Sequence, residues 1–204
     1  MQKYNVSRET FDKLKTYEAL LNEWQNKFNL VSNRSLKEAW VRHFLDSAQL
    51  LKYIPDNAKK LYDFGSGAGF PGMVLAILAA EKIPNLEVKL IESINKKTVY
   101  LNAVREACRL NVDIINDRVE NIKLPKADII TSRAMCNLNQ LLLYADIFVG
   151  KKTVMIFPKG KSYKEELIEA QRNWSFDFKI EKNEVCEDGV ILIIKNLTSK
   201  RGVK

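Results

Sequence analysis

Apolar residues follow one rhythm before residue 61 and another after it. In the first part Leu14, Tyr17, Leu21, Trp24 and Phe28 recur at alternating steps of three and four, which predicts an amphipathic helix over 7–28. Ser35-Leu36-Lys37-Glu38 spells a capping box, and the line Leu36, Trp40, Phe44, Ala48 and Leu51 continues it as a second helix that Pro55 ends. From Leu61 onward, short β-rich runs alternate with helical patterns. Strands are predicted over 61–65, 87–92, 112–116, 127–132 and 153–157, with helices over 71–83, 95–110, 137–149 and 162–173 between and after them. The last two strands, 178–186 and 190–197, are joined by Glu187-Asp188-Gly189, a hairpin turn signal. The pattern predicts an α/β fold: a mostly parallel sheet covered on both faces, closed by an antiparallel hairpin and preceded by a helical extension. The division is 1–55 for the extension and 56–204 for the sheet domain, forming one compact unit.

Composition narrows this only slightly. The chain has 204 residues, 46% hydrophobic and 28% charged, enough for one domain with a large core and a small extension. The longest wholly apolar run, Met73 to Ala80, is too short to span a bilayer, and the opening residues lack a signal-peptide pattern, so a cytoplasmic protein without a membrane partner is expected. Cys108, Cys136 and Cys186 stand far apart in no C-x-x-C spacing, which predicts neither a disulfide framework nor a metal site. A net charge of +8 changes the picture more, because it favours a polyanionic partner such as a nucleic acid. The polar, basic tail from Ser199 to Lys204 is expected to be mobile.

The densest chemical signal is Asp63-Phe64-Gly65-Ser66-Gly67-Ala68-Gly69-Phe70-Pro71-Gly72, a strand end, a glycine-rich turn and a helix opening on Pro71. Glycines let backbone approach a ligand closely, and the helix start behind them offers unpaired N–H groups. Gly67-x-Gly69-x-x-Gly72 with Glu92 beyond it also satisfies a dinucleotide fingerprint. Asp63 separates the two readings. A carboxylate at the strand end, facing the ligand, would repel a pyrophosphate and attract the ammonium and sulfonium of S-adenosylmethionine (AdoMet). The terminal hairpin likewise suits a Rossmann-like methyltransferase better than a dehydrogenase.

Ligands of doubly wound sheets lie beyond the carboxyl ends of the strands, so those ends supply the other candidates. Glu92 and Ser93 end the second strand, where Glu92 can accept from ribose hydroxyls or serve the helix behind it. Val119 and Glu120, after the third strand, could pack on and reach an adenine, or form a solvated loop. Arg133, after the apolar fourth strand, could hold a phosphate, a base edge or a cofactor carboxylate. Lys159, in Pro158-Lys159-Gly160-Lys161, is either a phosphate contact or part of a solvated turn. His43 is the only histidine, and no nucleophile motif accompanies it.

Taken together, these residues resemble one family, the bacterial small-subunit ribosomal RNA guanine-N7 methyltransferases, also called glucose-inhibited division protein B. The matching pieces are Asn29-Leu30-Val31-Ser32, Arg42-His43-Phe44-Leu45-Asp46-Ser47, the glycine loop through Gly72, Glu92-Ser93 with Lys96-Lys97, Arg118-Val119-Glu120, Ser132-Arg133-Ala134 and Pro158-Lys159-Gly160. They occur in the family's order over nearly the whole chain. Glu92 stands where family members often have Asp, and Val119 where many have Ala. The resemblance implies a Rossmann-like, class I AdoMet-dependent fold and methylation of N7 of one guanine in the decoding-region loop of small-subunit RNA; naked RNA and assembled particle both stay open as substrate, and a monomer is expected. Cofactor contacts carried over by the resemblance are Gly65, Phe70, Val119, Glu120 and Arg133. Asp63, Gly67, Gly69, Glu92 and Ser93 join them from the reading of the loop and strand ends. Arg133, Lys159 and His43 are the candidates for positioning the substrate. A methyltransferase of the same fold with another substrate, and a non-catalytic RNA-binding protein, remain the alternatives.

Overall fold

In the computed structural model, which describes residues 4–200, the first apolar stripe becomes α1 (Arg8–Gln25). Ser7 caps it, its hydroxyl accepting from Thr10 N–H, and Leu14, Tyr17 and Leu21 are fully buried. The second predicted helix is broken into pieces. Ser32, not Ser35, caps α2 (Asn33–Lys37), because the Ser32 hydroxyl accepts from Ser35 N–H and starts the helix three residues earlier. A π-helical turn follows over Trp40–Leu45, then α3 (Asp46–Ala48) and a 3₁₀ turn over Gln49–Tyr53. The wide turn redirects the chain so that Arg42, His43 and Asp46 all reach one cavity.

The sheet is built from β1 (Lys60–Phe64), β2 (Glu87–Ile91), β3 (Val112–Ile115), β4 (Ala127–Ser132), β5 (Val149–Lys159), β6 (Trp174–Lys182) and β7 (Val190–Ser199). Their order is β3-β2-β1-β4-β5-β7-β6, parallel through β5 and antiparallel where β7 joins β5 and β6. The crossover helices are α4 (Gly72–Lys82), α5 (Asn95–Ala107) and α6 (Leu138–Ala145), with α7 (Tyr163–Asn173) before the hairpin. One face of the sheet buries a core shared with α1, α4, α5 and the 30–58 segment, and the other packs against α6 and α7. The N-terminal helices therefore share a hydrophobic core with the sheet.

Three expectations shift at the end of the chain. β6 begins at Trp174, directly after α7, and ends at Lys182, four residues short of the predicted limit. The cause is Asn183, whose side-chain oxygen accepts from Val185 N–H and Cys186 N–H and turns the chain out of the strand. Ser162-Tyr163-Lys164-Glu165 spells a second capping box, yet Ser162 starts α7 without a side-chain cap bond. Ser199 belongs to β7, and Lys200 N–H donates to the Asn173 carbonyl, while residues 201–204 of the expected mobile tail lie outside the described residues.

The entry into α4 is packed too closely to admit a side chain. A Cβ on Gly72 would stand 2.3 Å from Leu90 Cδ2 and 2.7 Å from Asp63 Cβ, so β1, β2 and α4 meet only because this position has no side chain. Gly72→Ala is expected to lower the unfolding free energy by about 1–3 kcal/mol, measured as a shift in the urea midpoint at unchanged slope.

Candidate active site

The glycine loop leaves β1 after Phe64 and passes over two buried acids. Asp63, fully buried, sits beneath the loop. Its carboxylate accepts from Gly72 N–H at 3.2 Å and from the Thr131 hydroxyl at 2.8 Å, tying β1 to α4 and β4. It lines neither of the cavities described below, so the expectation that it faces a ligand is corrected: three neighbouring elements close over it. Burial raises its pKa to about 6, against the opposing pull of the Thr131, Ser66 and Gly72 hydrogen bonds. Glu92 holds the loop from the other side, accepting from Gly67 N–H at 2.8 Å and from Ile94 N–H, just before α5, at 2.8 Å.

Gly65 is the hinge of the site. Its φ is +62°, and a Cβ there would lie 2.8 Å from Met135 Cγ. It borders two cavities. The smaller, about 240 Å³, is lined by Ile91, Ser93, Val119 and Glu120 on the β2 and β3 side. The larger, about 570 Å³, opens over β4 and β5 and is lined by Phe70, His43, Asp46, Arg133, Lys159 and Glu166, among others.

The larger cavity has a wall of interlocked polar groups. Arg133 Nη1 donates to the Arg42 carbonyl at 2.9 Å and to Asp46 Oδ2 at 3.1 Å, Nη2 lies 2.9 Å from His43 Nδ1, and the guanidinium stands 5.2 Å from the Phe70 ring centre. Asp46 Oδ1 accepts from Gln49 Nε2 at 3.0 Å and from Asn183 Nδ2 at 2.8 Å. Phe70 is clamped between rings, stacked on His43 at 4.7 Å and on Tyr17 at 5.3 Å, with Phe44 edge-on. Tyr17 also donates to the Ala68 carbonyl at 2.5 Å. Because Arg133 is a donor, His43 Nδ1 accepts and the proton of the neutral ring sits on Nε2. Burial and the neighbouring Arg133 and Arg42 charges lower the His43 pKa to about 4, so the ring stays neutral near pH 7. Opposite, Lys159 Nζ pairs with Glu166 Oε2 at 2.8 Å, and the same oxygen accepts from Leu138 N–H at 2.8 Å.

Of the residues singled out from sequence, Gly67, Phe70, His43, Arg133 and Lys159 border the larger cavity, Ser93, Val119 and Glu120 the smaller, and Gly65 both. Asp63, Gly69 and Glu92 border neither and act on the loop from behind or within it. Sequence reasoning missed Asp46, Gln49, Asn183 and Glu166. Asp46 lies in the quoted Arg42–Ser47 stretch, yet nothing in its spacing points to Arg133. Asn183 falls in a run that reads as strand. Glu166 lies on the first turn of α7 and Lys159 at the end of β5, a pairing across two elements that no local motif encodes.

Asp63 and His43 oppose each other in the dependence of stability on pH. Between about 3.8 and 6 the folded chain holds an extra proton on Asp63, so its contribution falls as pH rises; between about 4 and 6.5 the unfolded chain holds the extra proton on His43, so that contribution rises. Asp63→Asn, in which the Thr131 hydroxyl can turn to accept from the new amide, should therefore make stability climb more steeply from pH 4 to 6, by on the order of 3 kcal/mol at most. His43→Gln should tilt the same curve the other way. Urea titrations at stepped pH measure both slopes.

Comparison with known proteins places this geometry in a family. A sequence model of the GidB family, described as rRNA small subunit methyltransferase G, matches residues 10–193. The ribosomal RNA small subunit methyltransferase G of Orientia tsutsugamushi (strain Ikeda) is 42% identical over 192 residues, covering 94% of this chain and 93% of the relative. That of Rickettsia prowazekii (strain Madrid E) is 40% identical over 194 residues, covering 95% and 97%. Among solved structures, the ribosomal protein L11 methylase of Lactobacillus delbrueckii subsp. bulgaricus has a TM-score of 0.60 at 13% identity, covering 74% of this chain and 76% of that one. An O-methyltransferase from Bacillus cereus in complex with SAH has a TM-score of 0.58 at 15% identity, covering 94% and 92%. At such identities these likenesses speak to the fold alone, which is the Rossmann-like fold of the class I methyltransferases. The chain belongs to the GidB family of small-subunit ribosomal RNA methyltransferases.

Proposed function

We propose that this protein binds AdoMet along the Gly65 edge and methylates N7 of a guanine of small-subunit ribosomal RNA presented in the larger cavity. The observation that carries the reading is Gly65 itself, whose backbone separates a small cavity bearing Ser93, Val119 and Glu120 from a larger one walled by Arg133 and Lys159. The first set fits an adenosine: Val119 offers an apolar face and Glu120 a carboxylate for its polar edge, while Glu92 holds Gly67 and Ile94 in place behind them. Bound there, AdoMet supplies an electrophilic methyl carbon. Asp63 supports that site through the loop. Leu30, Val31, Ser35, Arg42, His43 and Asp46 of the helical extension act in this reading as a wall of the substrate cavity, and one copy of the chain lines both cavities.

Guanine N7 carries a lone pair and loses no proton on methylation, so the reaction needs no general base. The bond to N7 forms as the carbon–sulfur bond breaks. What the protein contributes is alignment and exclusion of water. The neutral, hydrogen-bonded His43 fits this, since it braces Arg133 and Phe70. Neither cation can use the familiar arginine fork onto guanine O6 and N7, because N7 must stay open. Arg133 spends three of its five N–H donors on the Arg42 carbonyl, Asp46 and His43, and Lys159 two of its three on Glu166 and the Cys136 carbonyl, so each cation keeps a donor for O6, ribose or phosphate.

Incubation with labelled AdoMet and small-subunit RNA, naked and assembled, is expected to yield N7-methylguanine. Absence of that product with every RNA form, despite AdoMet binding by calorimetry, would refute the reading. With no base to titrate, kcat should stay flat between about pH 7 and pH 9. The net charge of +8 should make KM for RNA rise steeply with salt while kcat changes little.

A further inference from the structure

The target base has to be recognised without its N7. Guanine then offers O6 as an acceptor beside N1–H and the N2 amino group as donors, whereas adenine reverses the first two. A carboxylate facing N1–H and N2–H, with an ammonium beside it for O6, reads that edge and rejects adenine.

Two carboxylates border the larger cavity, and they differ in what they have left to offer. Asp46 has both oxygens bound, to Arg133, Gln49 and Asn183. Glu166 presents a different picture. Its Oε2 takes Lys159 Nζ and Leu138 N–H, while the contact recorded for Oε1 is the Ser162 hydroxyl at 3.4 Å, at the weak end of hydrogen bonding. The Glu166 side chain is 20% exposed, on the first turn of α7, and Lys159, 9% exposed, ends β5. Two rigid elements thus hold a carboxylate and an ammonium side by side in the cavity that Gly65 opens into.

We infer that Glu166 is a specificity-determining residue that reads the Watson–Crick edge of the target base, Oε1 accepting from N1–H and the N2 amino group while Lys159 Nζ donates to O6. The inference rests on guanine-N7 methylation being the activity. The plainer role for Glu166, holding Lys159 and the start of α6, predicts no selectivity for N2.

Inosine separates the two roles, since it keeps N7, O6 and N1–H and lacks only the N2 amino group. The experiment compares small-subunit RNA carrying guanine or inosine at the methylated position, in the form the wild-type chain modifies. Wild type should show kcat/KM at least about tenfold lower for inosine, the penalty of a polar partner left unmatched. In Glu166→Gln the Leu138 N–H and Lys159 both still demand an oxygen, so the new NH2 turns toward the base. Guanine methylation should then fall and the two substrates should come within roughly threefold of each other. Glu166→Asp, which keeps the charge and draws it back, should narrow the ratio in the same direction, and it serves if the amide variant fails to fold. AdoMet affinity by calorimetry should be unchanged in either variant. Equal methylation of inosine and guanine by wild type, or an equal loss on both substrates in the variants, overturns the inference. Absence of N7-methylguanine on native RNA would instead overturn the activity on which it rests.

Discussion

One wall of the larger cavity hangs on the Asp46 carboxylate. One oxygen takes the Arg133 guanidinium from the end of β4, the other takes Gln49 from its own helical segment and Asn183 from the loop between β6 and β7. Three stretches far apart in sequence therefore close on one buried anion. Removing one partner of such a pair leaves the other charge buried and unmatched, which costs about 3–5 kcal/mol, so the three stretches stand or fall together. Their joint product is the wall of the larger cavity. Phe70 carries that wall to the glycine loop, since its ring, only 3% exposed, is packed by Tyr17, His43 and Phe44 from the N-terminal segment.

The loop itself is held by two acids in a comparable way. Asp63 pins the N–H that starts α4, and Glu92 pins Gly67. A glycine-rich segment would otherwise sample many conformations, and each would have to be abandoned on binding a ligand. Here the ordering is built into the folded chain. The backbone around Gly65 thus meets its ligand already shaped, and its approach to Met135 leaves no room for a side chain.

Local signals made most of the sheet domain readable, and nonlocal ones hid the rest. The strands β1 to β4 announce themselves by short apolar runs, because both faces of a parallel sheet are covered. The second helix misled because a continuous stripe says nothing of a π-helical turn, and Ser32 outcompeted the capping box at Ser35. Asp63 reads in the sequence as facing outward, and its burial shows the opposite direction. Spacing placed it at a strand end, whereas the side chain's neighbours, Gly72 and Thr131, are brought to it only by the crossover and the adjacent strand. Asp46, Asn183 and Glu166 share this property. Each acquires its partner through tertiary contact, and a single sequence carries no periodicity for that.

The arrangement of charge is what the chemistry asks for. Methylation of N7 moves a positive charge from sulfur to the base and creates none. A cavity lined with unpaired cations would oppose both the sulfonium before transfer and the methylated base after it. Of the four cations lining the larger cavity, Arg133 is matched by Asp46, Lys159 by Glu166 and Arg42 by Glu38, and Lys97 adds its charge at the cavity wall, while the chain as a whole carries +8. In the proposed reading the excess serves the phosphates of an RNA backbone, where it would accelerate encounter and be screened by salt. Arg133 and Lys159 serve through fixed hydrogen-bond direction, each with its charge already balanced. A site of this kind can hold a neutral base against a cationic methyl donor without being at odds with either.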